Sequence, residues 1–298
     1  MSLIECVPNI SEGRRPAVVE MLAETIRAAH GVRLLDYSAD PSHNRSVFTM
    51  VGERDEIKHA VLDLAWAAVH TIDLRQHHGQ HPRIGTVDVV PFIPIADVTM
   101  SDCVDLARDV GQAIAARLRV PVFLYAEAAT REERRRLENI RRGQFEGLAA
   151  RMREPGWAPD FGPPAPHPSA GATAVGARRL LIAFNVNLAT NRLDVAKRIA
   201  AVVRESSGGL RSVKALGLSL PSRGIVQVSM NLTDFTHTPL QTVVDRVVAE
   251  AAGEGVEVLE SELIGLIPEA ALTGTTPERL LLRHFSDDRI LERRLGES

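Results

Sequence analysis

The stretch Val32-Arg33-Leu34-Leu35-Asp36-Tyr37, Ser38-Ala39-Asp40-Pro41-Ser42-His43-Asn44-Arg45, Ser46-Val47-Phe48-Thr49-Met50-Val51 reads as two strands joined by a polar turn. Ahead of it, Leu3 to Val7 reads as a strand, and Ser11 with Glu12 opens a helix over about Pro16–His30. Val18, Val19, Leu22 and Ile26 share one face of that helix, and Gly31 ends it. After it, Arg54–Thr71 carries Ile57, Val61, Leu64 and Ala68 at helical spacing. The near-continuous apolar run Val87–Ile95 then predicts a strand buried on both faces. The order is βαββαβ, a split βαβ or ferredoxin-like unit. A helix over Ser101–Leu118 and an apolar run over Val120–Tyr125 extend it.

The second half repeats this grammar without residue-level identity. Strands are expected at Arg179–Leu188, Val213–Leu220, Ile225–Leu232 and Val256–Leu266, and helices at Leu193–Glu205 and Leu240–Ala252. The fold class is α/β (α+β), with two tandem units divided near residues 177 and 178. Between them, Glu154–Gly171 holds Pro155, Pro159, Pro163, Pro164, Pro166 and Pro168, so it is extended. Composition alone favours an interdomain linker. The functional reading is a strap lying in a cleft.

The 298 residues carry 35 basic and 38 acidic side chains, a net charge of -3 that offers no bulk attraction to nucleic acid or an anionic bilayer. The two cysteines, Cys6 and Cys103, form no zinc-type cluster, and Cys6 on its apolar strand reads as a buried, inert thiol. No secretory leader opens the chain, and no apolar run approaches the roughly 18 to 20 residues of a membrane span. The expectation is a cytoplasmic protein without membrane or nucleic-acid partners.

Two clusters carry chemistry. In His77-His78-Gly79-Gln80-His81-Pro82-Arg83-Ile84-Gly85 a metal reading fails, because Gly79 and Pro82 break any helix that would align the histidines. Pro82 instead stiffens the loop beside His81 just before a buried strand, which suits an imidazole used for general acid or base work. In the turn Asp40–Arg45, backbone preferences alone explain Asp, Asn and Pro. The turn gains meaning if it meets the His81 loop. Asp40 could then orient an imidazole, and Arg45 could pair a substrate carboxylate. The run Arg131–Arg142 reads as the solvated face of a helix. Asn185 and Asn187 alternate on one strand, as edge polarity or as a hydrogen-bonding wall. No GxGxxG, Walker or GxSxG motif occurs.

Seven strings in order resemble the glutamate formimidoyltransferase family. They are Glu5-Cys6-Val7-Pro8-Asn9-Ile10-Ser11-Glu12-Gly13, His81-Pro82-Arg83-Ile84-Gly85, Asp88-Val89-Val90-Pro91-Phe92-Ile93-Pro94, Trp157-Ala158-Pro159-Asp160-Phe161-Gly162-Pro163, Gly171-Ala172-Thr173, Ala183-Phe184-Asn185-Val186-Asn187-Leu188 and Gly265-Leu266-Ile267-Pro268. The resemblance implies transfer of a formimino group from N-formimino-L-glutamate to N5 of tetrahydrofolate, a step of histidine degradation. It implies two ferredoxin-like subdomains with a folate cleft between them, a homodimer, tetrahydrofolate as cosubstrate and no metal. His81 matches the family's catalytic base. The strap Gly162-Pro163-Pro164-Ala165-Pro166-His167-Pro168-Ser169-Ala170-Gly171 matches its folate contacts, which overturns the linker reading.

Asp40 is expected to stabilise cationic character at the reacting carbon, with Asn44, Arg45, Arg83, Asn185 and Asn187 binding substrate. Two positions depart from the animal enzymes. Ser38 stands where they have an aspartate, so Asp40 replaces it or the role is absent, and Ala170 stands where they have a tryptophan. The animal protein's cyclodeaminase domain has no counterpart in these residues, so a separate cyclodeaminase is expected. The rival readings are an N-formylglutamate-dependent 5-formyltransferase on the same fold and a noncatalytic folate-binding protein.

Overall fold

The computed structural model describes residues 2–296. A first compact unit ends at Arg178 and a second begins at Arg179.

The first unit runs β1 (Leu3–Cys6), β2 (Asn9–Ile10), α1 (Pro16–Arg27), β3 (Val32–Asp40), β4 (Arg45–Gly52), α2 (Arg54–Thr71), β5 (Val87–Ala96), α3 (Met100–Leu118), β6 (Val122–Ala126), α4 (Leu137–Ile140), α5 (Gln144–Arg151) and β7 (Thr173–Ala177). The expected first strand forms as β1, and beyond Pro8, which has no N–H to give the ladder although its carbonyl accepts from Phe48 N at 3.1 Å, the unexpected short strand β2 continues the pairing. Ser11 does not cap α1. Its hydroxyl donates to Gly85 O at 2.7 Å, while Glu12 Oε1 accepts from Arg14 N and Arg15 N at the helix entrance.

The strands form one seven-stranded sheet, in which β1 and β2 lie between β4 and β5, β3 flanks β4, and β7 and β6 continue beyond β5. Among the strands of the βαββαβ run the spatial order is therefore fourth, first, third, second, all antiparallel. The addition of β7, parallel to both β5 and β6, is what makes β5 a central strand. Val87 through Ile93, Asp88 included, are accordingly buried, as their near-continuous apolar character predicts. On one face of the sheet, Leu22 and Ile26 of α1, Ile57 and Leu64 of α2 and Leu106 and Val110 of α3 close over Ile4, Cys6, Phe48 and Phe92. On the other, Ile140, Leu148, Met152 and Trp157 cover Val89, Phe123, Tyr125 and Ala174.

Residues 154–171 are thus no linker, since they pack within the first unit and lead into β7. The helix expected over Arg131–Arg142 is also corrected. It is a 3-10 turn at Glu132–Arg134 followed by the single turn α4, and Arg134 is 2% exposed rather than solvated.

The second unit runs β8 (Ile182–Leu188), α6 (Leu193–Val203), β9 (Val213–Leu220), β10 (Ile225–Leu232), α7 (Leu240–Gly253), β11 (Val258–Ile264) and α8 (Leu291–Gly296). Its antiparallel sheet has the order β11-β8-β10-β9, the same fourth, first, third, second arrangement. Phe184, Val186, Val226 and Val228 face Ile199, Val203, Val243 and Val247 in its core. Asn185 and Asn187 alternate with these apolar residues and take the other face of β8.

Candidate active site

The Asp40–Arg45 turn and the loop between α2 and β5 meet. Asn44, in the left-handed region at φ 50°, is clamped from both sides, its Oδ1 accepting from Gly13 N at 3.0 Å and its Nδ2 donating to His78 O at 3.1 Å. Gln80 N donates to Ser42 O at 3.1 Å. Gly79 permits this approach, because a Cβ there would stand 2.1 Å from His43 O. The base of the loop is held by a second close crossing, where a Cβ on Gly85 would lie 1.9 Å from Ala172 O. Asp88 fixes the same end, its Oδ1 accepting from Ile84 N at 2.8 Å and its Oδ2 from Arg141 Nε at 3.0 Å.

Within this frame His81 Nδ1 lies 2.9 Å from Pro82 O. A carbonyl only accepts, so Nδ1 carries the proton and Nε2 presents its lone pair. Burial, followed by the positive charges of Arg45 and Arg141 and by His43, holds the imidazole well below the usual histidine range. His81 is therefore neutral near pH 7, the form a general base requires. Its ring centroid lies 5.8 Å from that of His43.

Asp40 engages His43 rather than His81. Its Oδ1 accepts from His43 N at 2.8 Å, and its Oδ2 lies 3.7 Å from His43 Nδ1. Ser38, one turn of the pleat earlier on β3, pairs with Val47.

The two arginines offered as anchors differ. Arg83 is committed within the protein, with both terminal nitrogens on Glu146 and its Nε donating to His77 Nδ1 at 3.1 Å. Arg45 has a buried Nε with no hydrogen-bond partner. Burial and the charge of Arg141 bring it down to about 9, against the pull of Asp88 and Asp40, so it remains a cation at neutral pH. A guanidinium whose buried Nε has no hydrogen-bond partner, near a neutral imidazole, is an arrangement a ligand carboxylate would complete.

The strap is pinned at both ends. Asp160 pairs with buried Arg134 at 2.8 Å, and Val122 N donates to Phe161 O at 2.9 Å. Farther along, Leu74 N donates to Ser169 O, Thr86 N donates to Ala170 O, and His167 and Gly171 exchange backbone bonds at 2.8 and 2.9 Å. His167 Nδ1 accepts from Ala170 N at 3.0 Å, so that ring serves the turn. Ala170 is buried, whereas Gly162, Pro164, Ala165 and Pro168 are exposed and Pro163, Pro166, His167 and Ser169 are half-buried. A groove of about 410 Å³ between α3 and the strap is lined by Gln112, Arg119, Phe161, Gly162 and Pro163, but by no residue of the His81 loop or the hairpin turn.

In the second unit, Asn187 is fully engaged. Its Nδ2 donates to Glu262 Oε1 at 2.6 Å, its Oδ1 accepts from Gln227 Nε2 at 2.9 Å, and Arg223 binds both Glu260 and Glu262. Asn185, one pleat along the same face, is buried as well. The alternation is therefore a hydrogen-bonding wall at Asn187.

Sequence reasoning missed His43, Arg141 and Glu146 as parts of this assembly. Among the described residues no group of three or more His, Cys, Asp and Glu side chains is placed to hold a metal ion, and no helix is long and apolar enough to cross a membrane.

A neutral imidazole with its lone pair available, set among guanidinium groups at one end of the sheet, is an arrangement suited to general-base chemistry. The model of the formiminotransferase domain's N-terminal subdomain matches residues 3–178, and that of the formiminotransferase domain matches residues 183–277. The chain is 46% identical to a glutamate formimidoyltransferase of Streptococcus pyogenes serotype M1 over 98% of both chains. It is 44% identical to one of Thermoplasma acidophilum over 100% of this chain and 99% of that one. A formimidoyltransferase-cyclodeaminase of Sus scrofa is 44% identical over 91% of this chain and 51% of its own length. The chain belongs to the formiminotransferase family.

Proposed function

We propose that the protein is a glutamate formimidoyltransferase, moving the formimino group from N-formimino-L-glutamate to N5 of tetrahydrofolate and releasing glutamate, in histidine degradation. The observation that carries the chemistry is the His81 tautomer: Nδ1–H bonded to Pro82 O leaves Nε2 as the base. In this reading N5 attacks the formimino carbon, Nε2 takes the N5 proton, and the tetrahedral intermediate collapses as that proton passes to the departing glutamate nitrogen. One base serves both halves of the transfer. Arg45 is the substrate-carboxylate anchor. Arg83, bound to Glu146 and His77, shapes the loop instead. Asp40 acts through His43, and Asn44 holds the turn. The strap's exposed residues, with Asn185, are assigned to tetrahydrofolate.

Each βαββαβ unit is read as ferredoxin-like, with residues 1–177 and 178–298 as the two formiminotransferase subdomains and folate as the ligand of the cleft the resemblance implies. A homodimer, a cytoplasmic location and a separate cyclodeaminase partner complete the proposal.

The test mixes purified protein with tetrahydrofolate and formiminoglutamate, quenches in acid, and follows the near-ultraviolet band of methenyltetrahydrofolate. Signal requiring both substrates, with turnover lowered about 10²- to 10⁴-fold in a folded His81→Ala variant, supports the assignment. Activity with N-formylglutamate alone would replace the donor. Folate binding without turnover from either donor would make this a binding protein.

A further inference from the structure

We propose that Glu146 is a positioning residue for the His81 site, fixing Arg83 and, through Arg83 and His77, the hairpin turn that faces His81. The proposal deepens the transferase reading and rests on it for its kinetic readout.

Glu146 looks like an ordinary surface carboxylate, with its side chain 61% exposed. Exposed ion pairs are worth little, and this one would be dismissed if its partner were also exposed. Arg83, however, has a side chain only 7% exposed, and three successive residues of α5 converge on it. Gln144 Oε1 accepts from Nη1 at 3.1 Å, Phe145 N donates to Arg83 O at 2.9 Å, and Glu146 takes the fork with 2.8 and 2.6 Å contacts. Gln144 holds its place at φ 55°, a left-handed conformation unusual for a residue with a side chain. The Arg83 guanidinium holds the Glu146 carboxyl down at about 2, so it is ionised at every working pH.

The remaining contacts carry this anchor onward. Arg83 Nε can only donate, so His77 Nδ1 must be the acceptor of their 3.1 Å contact. His77 Nε2 then bears the proton and donates to Asn44 O at 2.7 Å, while Arg83 Nη2 donates to His77 O at 3.1 Å. Burial lowers the His77 pKa, in keeping with a neutral ring. In the chain Glu146–Arg83–His77–Asn44, Arg83 donates both ways, to the Glu146 carboxylate and to His77, and His77 donates onward to the carbonyl of the residue between His43 and Arg45. Without the carboxylate, Arg83 is a buried cation left with neutral acceptors alone, Gln144 Oε1, His77 Nδ1 and His77 O, and its fork no longer has a fixed partner.

The experiment uses full-length Glu146→Gln, with Glu146→Asp as the charge-keeping control, and reads two quantities. The first is steady-state formimino transfer. We expect kcat to fall about tenfold or more with KM for both substrates within about twofold, and Glu146→Asp to recover part of the loss, since small misplacement of a catalytic group is costly. The second is the ¹⁵N signature of His77, where Nδ1 as acceptor and Nε2 as donor give distinct shifts in the parent protein and are expected to move toward averaging in Glu146→Gln. Unchanged kcat in the variant of an active enzyme overturns the proposal. So does a His77 signature that stays fixed, because a loss of rate would then run by another route. If the parent protein has no transferase activity, the activity reading fails, and the His77 shifts still decide whether Glu146 positions this loop.

Discussion

Replacing Arg134 with methionine removes the cation that ties the start of the strap to the first unit. Arg134 and Asp160 are 2% and 8% exposed at their side chains and meet at 2.8 Å, so both charges are out of water. Arg134 Nη2 also donates to Gly156 O at 2.7 Å, and its guanidinium lies 5.2 Å from the Phe123 ring centroid. Removing one member of a buried pair costs about 3–5 kcal/mol, because the partner is left as an uncompensated charge. Asp160 keeps the Leu124 N–H at 2.8 Å and the Thr130 hydroxyl, which places the expected loss near the lower end, about 3 kcal/mol. At about 2–4 °C per kcal/mol for a unit of this size, the melting temperature should fall by roughly 6–12 °C. Thermal unfolding followed by far-ultraviolet circular dichroism measures this, and the Arg134→Met, Asp160→Asn double variant should recover part of the loss. A fall of less than about 2 °C would refute the argument that this pair is a buried anchor. Tetrahydrofolate should also bind more weakly to Arg134→Met, since Phe161 and Gly162 follow directly on Asp160.

Two pH predictions follow from the charges. Arg45 lowers the His81 pKa, so Arg45→Gln should raise it and move the acid limb of the kcat/KM profile to higher pH; an unmoved or lowered limb would show that the guanidinium does not act on the base. Burial raises the Glu5 carboxyl to about 7. The folded state then binds more protons than the unfolded state between about pH 4.5 and 7, and stability falls as pH rises through that window. Glu5→Gln should flatten this slope and leave the variant more stable than the parent at pH 8 by on the order of 3 kcal/mol, measured by urea titration at several pH values.

The βαββαβ runs were legible because each element obeys one period strongly: Ile57, Val61, Leu64 and Ala68 recur at helical spacing, and Val87–Ile93 is apolar apart from Asp88. Strand β7 was not, because Thr173-Ala174-Val175-Gly176-Ala177 has little β-propensity of its own and exists through pairing on both sides. Without it the proline-rich segment looks like a connection between halves. The run Arg131–Arg142 was misread for a related reason, since nothing local distinguishes Arg134, packed under Trp157, from a solvated arginine. At the site, the stiff His81 loop and the polar turn were both visible, but their meeting depends on Gly79 lying against His43, a long-range contact. Arg45 and Arg83 are equivalent in sequence. Only the presence of Glu146 beside one of them separates a guanidinium already hydrogen-bonded to a carboxylate from one whose Nε has no partner.

The place of β7 between β5 and β6 also governs the order in which the first unit is completed during synthesis. Once Ala96 has emerged, the four strands of the βαββαβ run can pair, yet β5 still shows an open row of backbone donors and acceptors on the side that β7 will occupy. The residues that close it, Thr173–Ala177, are made about 80 residues later, on the order of 4–16 seconds at ordinary elongation rates. During that interval a nascent chain carries a hydrophobic strand with an unpaired edge. Strand β6, made sooner, pairs with β7 and not with β5 in the folded unit. A ribosome stalled between these points should therefore present an aggregation-prone, chaperone-binding species, and one stalled well past Ala177 should not.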